Sequence, residues 1–244
     1  MFLSIITPTK NSEKFISDTI ESVLSQNFKK YEHIILDNLS SDNTLQNIKK
    51  FRNKKIKIIS EKDNGIYYAM NKAANLSKGK FLTFLNSDDF ILDKHFFKNA
   101  YSILNKRKYD ILYSNIIYKE NLFKFSRKYI TGDFNINLNK LGWHIPHPGT
   151  IIRKDFFFKS GMFSTNYKIS SDFDFFIKSQ NNLKTNFYYY NNFTIKMSPG
   201  GASSGFLNVI KANIECYKSL KNNKIKNPIQ FIILKILRKI FQLF

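Results

Sequence analysis

One cysteine, Cys216, is the sequence's whole supply of thiol. A disulfide scaffold and a cysteine-rich metal site are excluded, and the reducing cytoplasm is the expected compartment. Acidic residues are scarce too: 18 Asp and Glu face 39 Lys and Arg, for a net charge of +21. The shortage deepens along the chain. After Asp174 the only acid is Glu215, while lysines and one arginine continue to Lys239. Such a balance suits polyanions, namely nucleic acid, phosphorylated substrates or an anionic membrane surface. Part of it reflects a Lys-, Asn- and Ile-rich composition, since the lysines are spread widely. No Gly-x-Gly-x-x-Gly follows the first apolar run and no Gly-x-x-x-x-Gly-Lys-Ser/Thr occurs, so a dinucleotide fingerprint and a P-loop are both unsupported. No internal repeat is visible. Met1 to Phe15 lack a basic lead and their apolar run stops before Thr7-Pro8, so no signal peptide is expected.

What is present is ample core material. The 244 residues are 43% hydrophobic and 16% aromatic, enough for one α/β domain with appendages or two small domains. The first half alternates apolar runs with helical spacing. Residues 2–6, 33–37, 56–60 and 81–85 read as strands. Asn11 or Ser12 is the expected cap of a helix carrying Phe15, Ile16, Ile20, Val23, Leu24 and Phe28. A weaker helix opens at Asp42, and residues 65–76 read as a third. This order predicts βαβ units and a parallel sheet buried on both faces. A ligand site then lies outside the carboxyl ends of the strands. That rule gathers Thr7-Pro8-Thr9, Asp37-Asn38, Glu61-Lys62-Asp63 and Asn86-Ser87-Asp88-Asp89. The second half is less regular: a helix over 91–105 capped by Asp93, strands within 109–130, a loose segment to Thr150, a helix from Ser171, a strand around 186–193 and a flexible loop at 198–205.

The segment 228–244 starts on Pro228, which suits a helix start. Lys235, Arg238, Lys239 and Gln242 share one side of a helical wheel. Ile229, Ile232, Ile233, Ile236, Leu237, Ile240 and Leu243 take the other. It is too short and too charged for the roughly 20 apolar residues of a membrane span. It reads as an interfacial amphipathic helix, or as a helix packed on the domain or a partner.

The chemistry of the clusters stays open at this level. Asp88 and Asp89 at a strand end suit a hard divalent cation such as Mg²⁺ or Mn²⁺, or a capping turn. Asp37 could bind a ribose or base, or merely cap. Asp172 and Asp174 at a helix start either complement the helix dipole or supply a general base. His147, in a Pro-rich loop, is structural or contacts phosphate or acceptor. No zinc spacing is matched.

Taken in order, Ser4 to Asn11, Ser22 to Gln26, His33 to Thr44, Asn64 to Lys72 and Gly79 to Asp89 resemble family 2 glycosyltransferases, the inverting nucleotide-sugar enzymes with a GT-A fold. Weaker echoes follow at His147 to Thr150, Gly161 to Phe163 and Ser171 to Asp174, so the likeness covers residues 2 to about 205. GIYYAMNK and the Gly200-Gly201 loop look most like the branch that builds bacterial surface polysaccharides, lipopolysaccharide or capsule. The resemblance implies a Rossmann-like, mostly parallel sheet flanked by helices. It implies a GT-A domain over 1–205, with a nucleotide-binding half (1–90) and an acceptor-binding half (91–205), and a basic helical tail over 206–244.

It also implies roles. Thr7, Pro8 and Thr9 frame the base, and Asp37 binds it. Asp63, Asn71 and Lys72 line the donor site. Asn86 and Asp88 occupy the ends of the Asp-x-Asp motif, with Ser87 between them, so Asp88 holds Mn²⁺ or Mg²⁺. Asp172 is the catalytic base, and Trp143, His147, Asp89 and Asp174 are candidates near acceptor or diphosphate. The implied donor is a nucleotide-diphosphate sugar, UDP-sugar favoured, and the acceptor a lipid-diphosphate-linked glycan at an anionic membrane reached through residues 228–244. The expected place is the cytoplasm, on the inner face of the cell membrane. Asn86 departs from the family's aspartate, Asn38-Leu39 from its Asp-Gly, and Tyr68 and Met70 from residues common in relatives. The Gln-x-x-Arg-Trp motif of processive members is absent, which argues for adding one sugar. A basic nucleic-acid-binding protein and an inactive transferase-like subunit are the alternatives. No nucleic-acid module is seen, so no nucleic acid is expected as a partner.

Overall fold

The computed structural model describes all residues except 119–125, 136, 138–140, 183, 199–204 and 242–244. The Gly200-Gly201 loop, the first residues of the strand expected up to residue 130, and Gln242 and Leu243 therefore lie outside the described residues.

The first half follows the expected alternation: β1 (Leu3–Thr9), α1 (Ile16–Leu24), β2 (Tyr31–Asp37), α2 (Thr44–Lys50), β3 (Ile56–Ser60), α3 (Ile66–Leu76) and β4 (Phe81–Phe84). β3-β2-β1-β4 pair parallel. Every residue of β1 and β4 is buried, as strands covered by helices on both faces require. α1 starts later than expected. Its cap is Phe15, with no side-chain cap bond, and the carbonyl of Ser12 instead accepts from the Phe15 and Ile16 amides.

The chain continues through β5 (Phe90–Ile91), α4 (Phe96–Leu104), β6 (Ile111–Tyr118), β7 (Arg127–Tyr129), β8 (Ile151–Arg153), α5 (Lys154–Lys159), α6 (Ser171–Asn181), β9 (Phe187–Met197), α7 (Phe206–Asn222) and α8 (Pro228–Phe241). β8 lies antiparallel between β4 and β6, and β9 runs parallel to β6, which makes the sheet mixed. The helix expected over 91–105 is shorter. Its first residues form β5 against β9, and Asp93 does not cap it, because its carboxylate accepts from the His95 amide, Tyr190 and Asn192.

Two clusters form the main core, one on each face of the sheet. A smaller one, built from Phe173, Ile177, Cys216, Leu220 and Phe231, fastens α7 and α8 to α6.

Pro8 shapes the sheet where it matters. β1 faces β4 through alternate residues, and the Ile6 carbonyl accepts from the Leu85 amide at 2.9 Å. The next β1 nitrogen on that side belongs to Pro8, which has no hydrogen to give. The β1–β4 ladder stops there, and a crevice opens beyond it.

Candidate active site

A cavity of about 540 Å³ occupies that crevice, within the few-hundred to about 1,000 Å³ range typical of small-molecule sites. Pro8 and Thr9 from the end of β1, Asp63, the Asn86–Asp89 turn, His147 and Asp172 all line it. Residues from both halves of the sequence thus meet in one place.

The turn after β4 is held from below. Thr19 of α1 donates its hydroxyl toward the carbonyls of Ser87 (2.9 Å) and Asp89 (2.8 Å), and Ser87 Oγ pairs with Ser12 Oγ at 2.8 Å. Asp89 is buried, and Asn86 Nδ2 donates to its Oδ2 at 3.2 Å. Burial, then the neighbouring Asp88 charge, pushes the Asp89 carboxyl well above the usual carboxylate range, and burial raises Asp88 as well. Two partly desolvated acids side by side are expensive when both ionise, and a cation between them removes that cost.

Across the cavity, Asp172 sits in the first turn of α6. Tyr67 OH lies 2.8 Å from Asp172 Oδ1 and 2.7 Å from the Ile169 carbonyl, so its single proton bridges the two. Burial, then the Asp172 charge, lifts the Tyr67 phenol well above its ordinary value, so it remains a donor at any working pH. His147 Nδ1 stands 3.8 Å from Asp172 Oδ2. Burial lowers the His147 pKa, with Asp172 opposing, so the ring is neutral near pH 7.

Three of the residues lining the cavity carry a buried polar atom with no hydrogen-bond partner among the described residues: Thr9 Oγ1, Asn86 Oδ1 and His147 Nε2. Buried polar groups are normally paired, so their convergence on one cavity marks a place for a polar ligand. For a hard cation, the unpaired Asn86 oxygen beside the Asp88 and Asp89 carboxylates is an all-oxygen donor set, and it fits Mg²⁺ or Mn²⁺.

Other predicted residues lie elsewhere. Thr7 is buried behind the cavity, its hydroxyl 2.9 Å from His33 Nε2. Asp37 is buried, and its carboxylate accepts from Ser40 N, Ser40 Oγ and Ser60 Oγ. Asn71 exchanges bonds with the Phe163 backbone, joining α3 to the 161–164 turn. Lys72 faces solvent, paired with Glu61. Trp143 is fully buried in the core and donates Nε1–H to the Thr131 carbonyl, and Asp174 is buried with Ser219, Asn223 and Lys178 as partners. None of these six lines the cavity.

Sequence reasoning gave no role to Tyr67, Thr19 or Lys168. Tyr67 lies inside the Asn64 to Lys72 motif. Lys168 carried no local signal, yet with Lys10 it supplies lysine charge around the cavity.

Solved structures share this architecture. Staphylococcus aureus TarS residues 1–349 in complex with UDP-GlcNAc superpose with a TM-score of 0.73 at 22% identity, over 92% of this chain and 66% of that one. The mannosyltransferase PcManGT from Pyrobaculum calidifontis, in complex with GDP-Man and Mn²⁺, gives 0.69 at 13% identity, over 97% of this chain and 68% of that one. These likenesses establish the GT-A fold. Among curated proteins, the poly(ribitol-phosphate) beta-N-acetylglucosaminyltransferase TarS of S. aureus is 35% identical over 117 residues, which is 46% of this chain and only 20% of TarS. A PGL/p-HBAD biosynthesis glycosyltransferase of Mycobacterium bovis is 25% identical over 183 residues, 73% of this chain and 70% of that protein. The putative teichuronic acid biosynthesis glycosyltransferase TuaG of Bacillus subtilis is 38% identical over 90 residues, 36% of each chain. The profile described as Glycosyl transferase family 2 matches residues 4–192, more than half of the chain, and the chain belongs to that family.

Proposed function

We propose that this protein is an inverting glycosyltransferase that moves one sugar from a nucleotide-diphosphate sugar to a hydroxyl of a cell-surface glycan acceptor. The observation that carries the reading is the cavity itself, where unpaired Thr9, Asn86 and His147 atoms converge between the Asp88–Asp89 turn and a tethered Asp172. The names of the relatives, a poly(ribitol-phosphate) beta-N-acetylglucosaminyltransferase, a PGL/p-HBAD biosynthesis glycosyltransferase and a putative teichuronic acid biosynthesis glycosyltransferase, support a surface-glycan acceptor. TarS with UDP-GlcNAc supports a UDP-sugar donor.

In this reading Asp172 takes the proton from the acceptor hydroxyl as its oxygen attacks the anomeric carbon from the face opposite the leaving group. Tyr67 holds the carboxylate in one orientation. Lys10 and Lys168 offer positive charge to the diphosphate, and Thr9 and Pro8 frame the nucleoside. Asp88, with Asn86 and Asp89, would hold Mn²⁺ or Mg²⁺, which when bound supplies Lewis-acid neutralisation of the departing diphosphate. The acceptor is lipid-linked, and the enzyme works peripherally on the inner face of the cell membrane, because surplus positive charge and an apolar helical tail favour an anionic bilayer.

The test is turnover and binding measured together. Asp172→Asn should lose at least about a hundredfold in turnover while keeping nucleotide affinity. Asp88→Ala should lose the cation dependence of UDP binding. An Asp172→Asn variant transferring sugar at the wild-type rate would overturn the assignment of the base. Asn86 in place of the family's aspartate keeps an inactive subunit as the second reading, and a wild-type protein that binds UDP but shows no transfer or donor hydrolysis would establish it.

A further inference from the structure

We infer that α7 and α8 together form a lipid-docking face, and that α7 couples this face to the wall of the active-site cavity. The inference deepens the membrane reading above and rests on it for the presence of a bilayer.

On the wheel alone, the basic side of α8 is the outward one if the helix packs on the domain through its apolar side. The structure has the reverse. α8 turns Phe231 inward, only 1% exposed, and buries the Lys235 stem. Lys235 Nζ lies 3.2 Å from Cys216 Sγ, 3.4 Å from Asn213 Oδ1 and 5.1 Å from the Phe173 ring centre. The side left in solvent is mainly apolar: Ile229 (63% exposed), Ile233, Ile236 and Leu237, with exposed Gln230 and Lys239 at its edges. α7 does the same. Cys216, Ser219 and Leu220 face α6, while Phe206 (80% exposed), Leu207, Ile210 and Ile214 face out. The Lys235 contacts with Asn213 and Cys216 bring the α8 turn of Ile233, Ile236 and Leu237 beside the Ile210 and Ile214 turns of α7. The two helices therefore present one apolar ridge.

Its surroundings choose the occupant. Exposed lysines 211, 218, 221, 224, 226 and 239 border the ridge. The only acid after Asp174 is Glu215, and it is committed inward, accepting the amides of Lys168, Ile169 and Ser170 at 2.9 Å each. A second copy of this chain would set lysines against lysines. Nucleic acid would leave the ridge wet. An anionic bilayer surface matches both the apolar ridge and its basic border.

The same Glu215 makes the coupling. Lys168 and Ile169, which it pins, line the cavity, and the Ile169 carbonyl shares the Tyr67 proton with Asp172. One face of α7 thus meets lipid while the other fixes the wall beside the base, so docking presents the cavity at the membrane surface where a lipid-linked acceptor resides.

Flotation of the full chain with phosphatidylcholine vesicles containing 30% phosphatidylglycerol tests this, alongside vesicles of phosphatidylcholine alone. Wild type should float with the anionic vesicles. Leu207→Ser/Ile210→Ser/Ile233→Ser should lose partitioning at least tenfold with its melting temperature and UDP affinity retained. Lys211→Gln/Lys218→Gln/Lys221→Gln should lose it severalfold, and raised salt should reproduce that loss. The proposal is overturned if the apolar triple variant floats like wild type. It is also overturned if wild type stays with neither vesicle, and a dimer that the triple variant dissolves would then make a second copy the occupant. Loss of UDP binding by wild type would count against the transferase reading instead and leaves the flotation result readable.

Discussion

Tyr67 is a residue whose importance shows only in its partners. Its phenol is the fixed donor to Asp172, and hydrogen bonds to charged groups are worth about 1.5–3 kcal/mol. Tyr67→Phe should therefore lower turnover by roughly tenfold or more with little change in donor KM, read from steady-state kinetics. Asn86 invites the opposite experiment. Its Nδ2 donates to Asp89 and its Oδ1 has no partner among the described residues. Asn86→Asp removes the donor and adds a third carboxylate to a pair whose pKa values are already raised. Without cation the variant should melt lower than wild type. With Mn²⁺ or Mg²⁺ it should melt at or above wild type, since the cation removes the repulsion and gains a charged ligand. A thermal-shift titration checks both halves.

At the scale of elements, the contact of α8 with the domain turns on Gly142. Its φ is +73°, and a Cβ there would stand 2.3 Å from the Lys235 amide nitrogen and 2.8 Å from the Phe231 carbonyl oxygen. Both are backbone atoms of a helix and cannot step aside singly. Gly142→Ala should cost about 1–3 kcal/mol from the left-handed backbone alone, and the clash should lift α8. Faster amide exchange in residues 228–241, with the β1–β4 core still protected, is the expected signature. Trp143, the next residue, was a candidate for acceptor binding by sequence. It lies in the core, and it is Gly142 beside it that meets the Phe231–Lys235 turn of α8.

For the whole molecule, buried histidines set an acid limit. Burial holds His33 and His144 at about 3, and lowers His147. The unfolded chain takes these protons near pH 6.5 while the fold refuses them, so their stabilising effect is complete above about 6.5 and drains as pH falls toward 3, by at most about 1.4 kcal/mol per histidine per pH unit. Asp88 and Asp89 have raised values and work the other way, gaining stability as they protonate. Melting temperature should fall between pH 7 and pH 5, and His144→Phe should make that slope shallower.

The alternation of apolar runs and helical spacing was enough to read the parallel β1–β4 half and the place where its strands end, because local patterning decides which elements form and covered strands must be apolar throughout. The clustering of Thr9, Asp63 and the Asn86–Asp89 turn followed from that. Short β8 and α5 gave no such pattern, and β9 ran past its apolar signal because β6 and β5 pair with it. Asp172 and His147 could be named by resemblance. That Asp172 meets Tyr67, some 100 residues away, is a long-range contact with no periodicity to betray it. The amphipathic division of α8 was likewise legible as a wheel. Which side would face the protein was not, since that depends on Phe231, Gly142 and the Cys216–Lys235 contact, and only the packed chain brings those together.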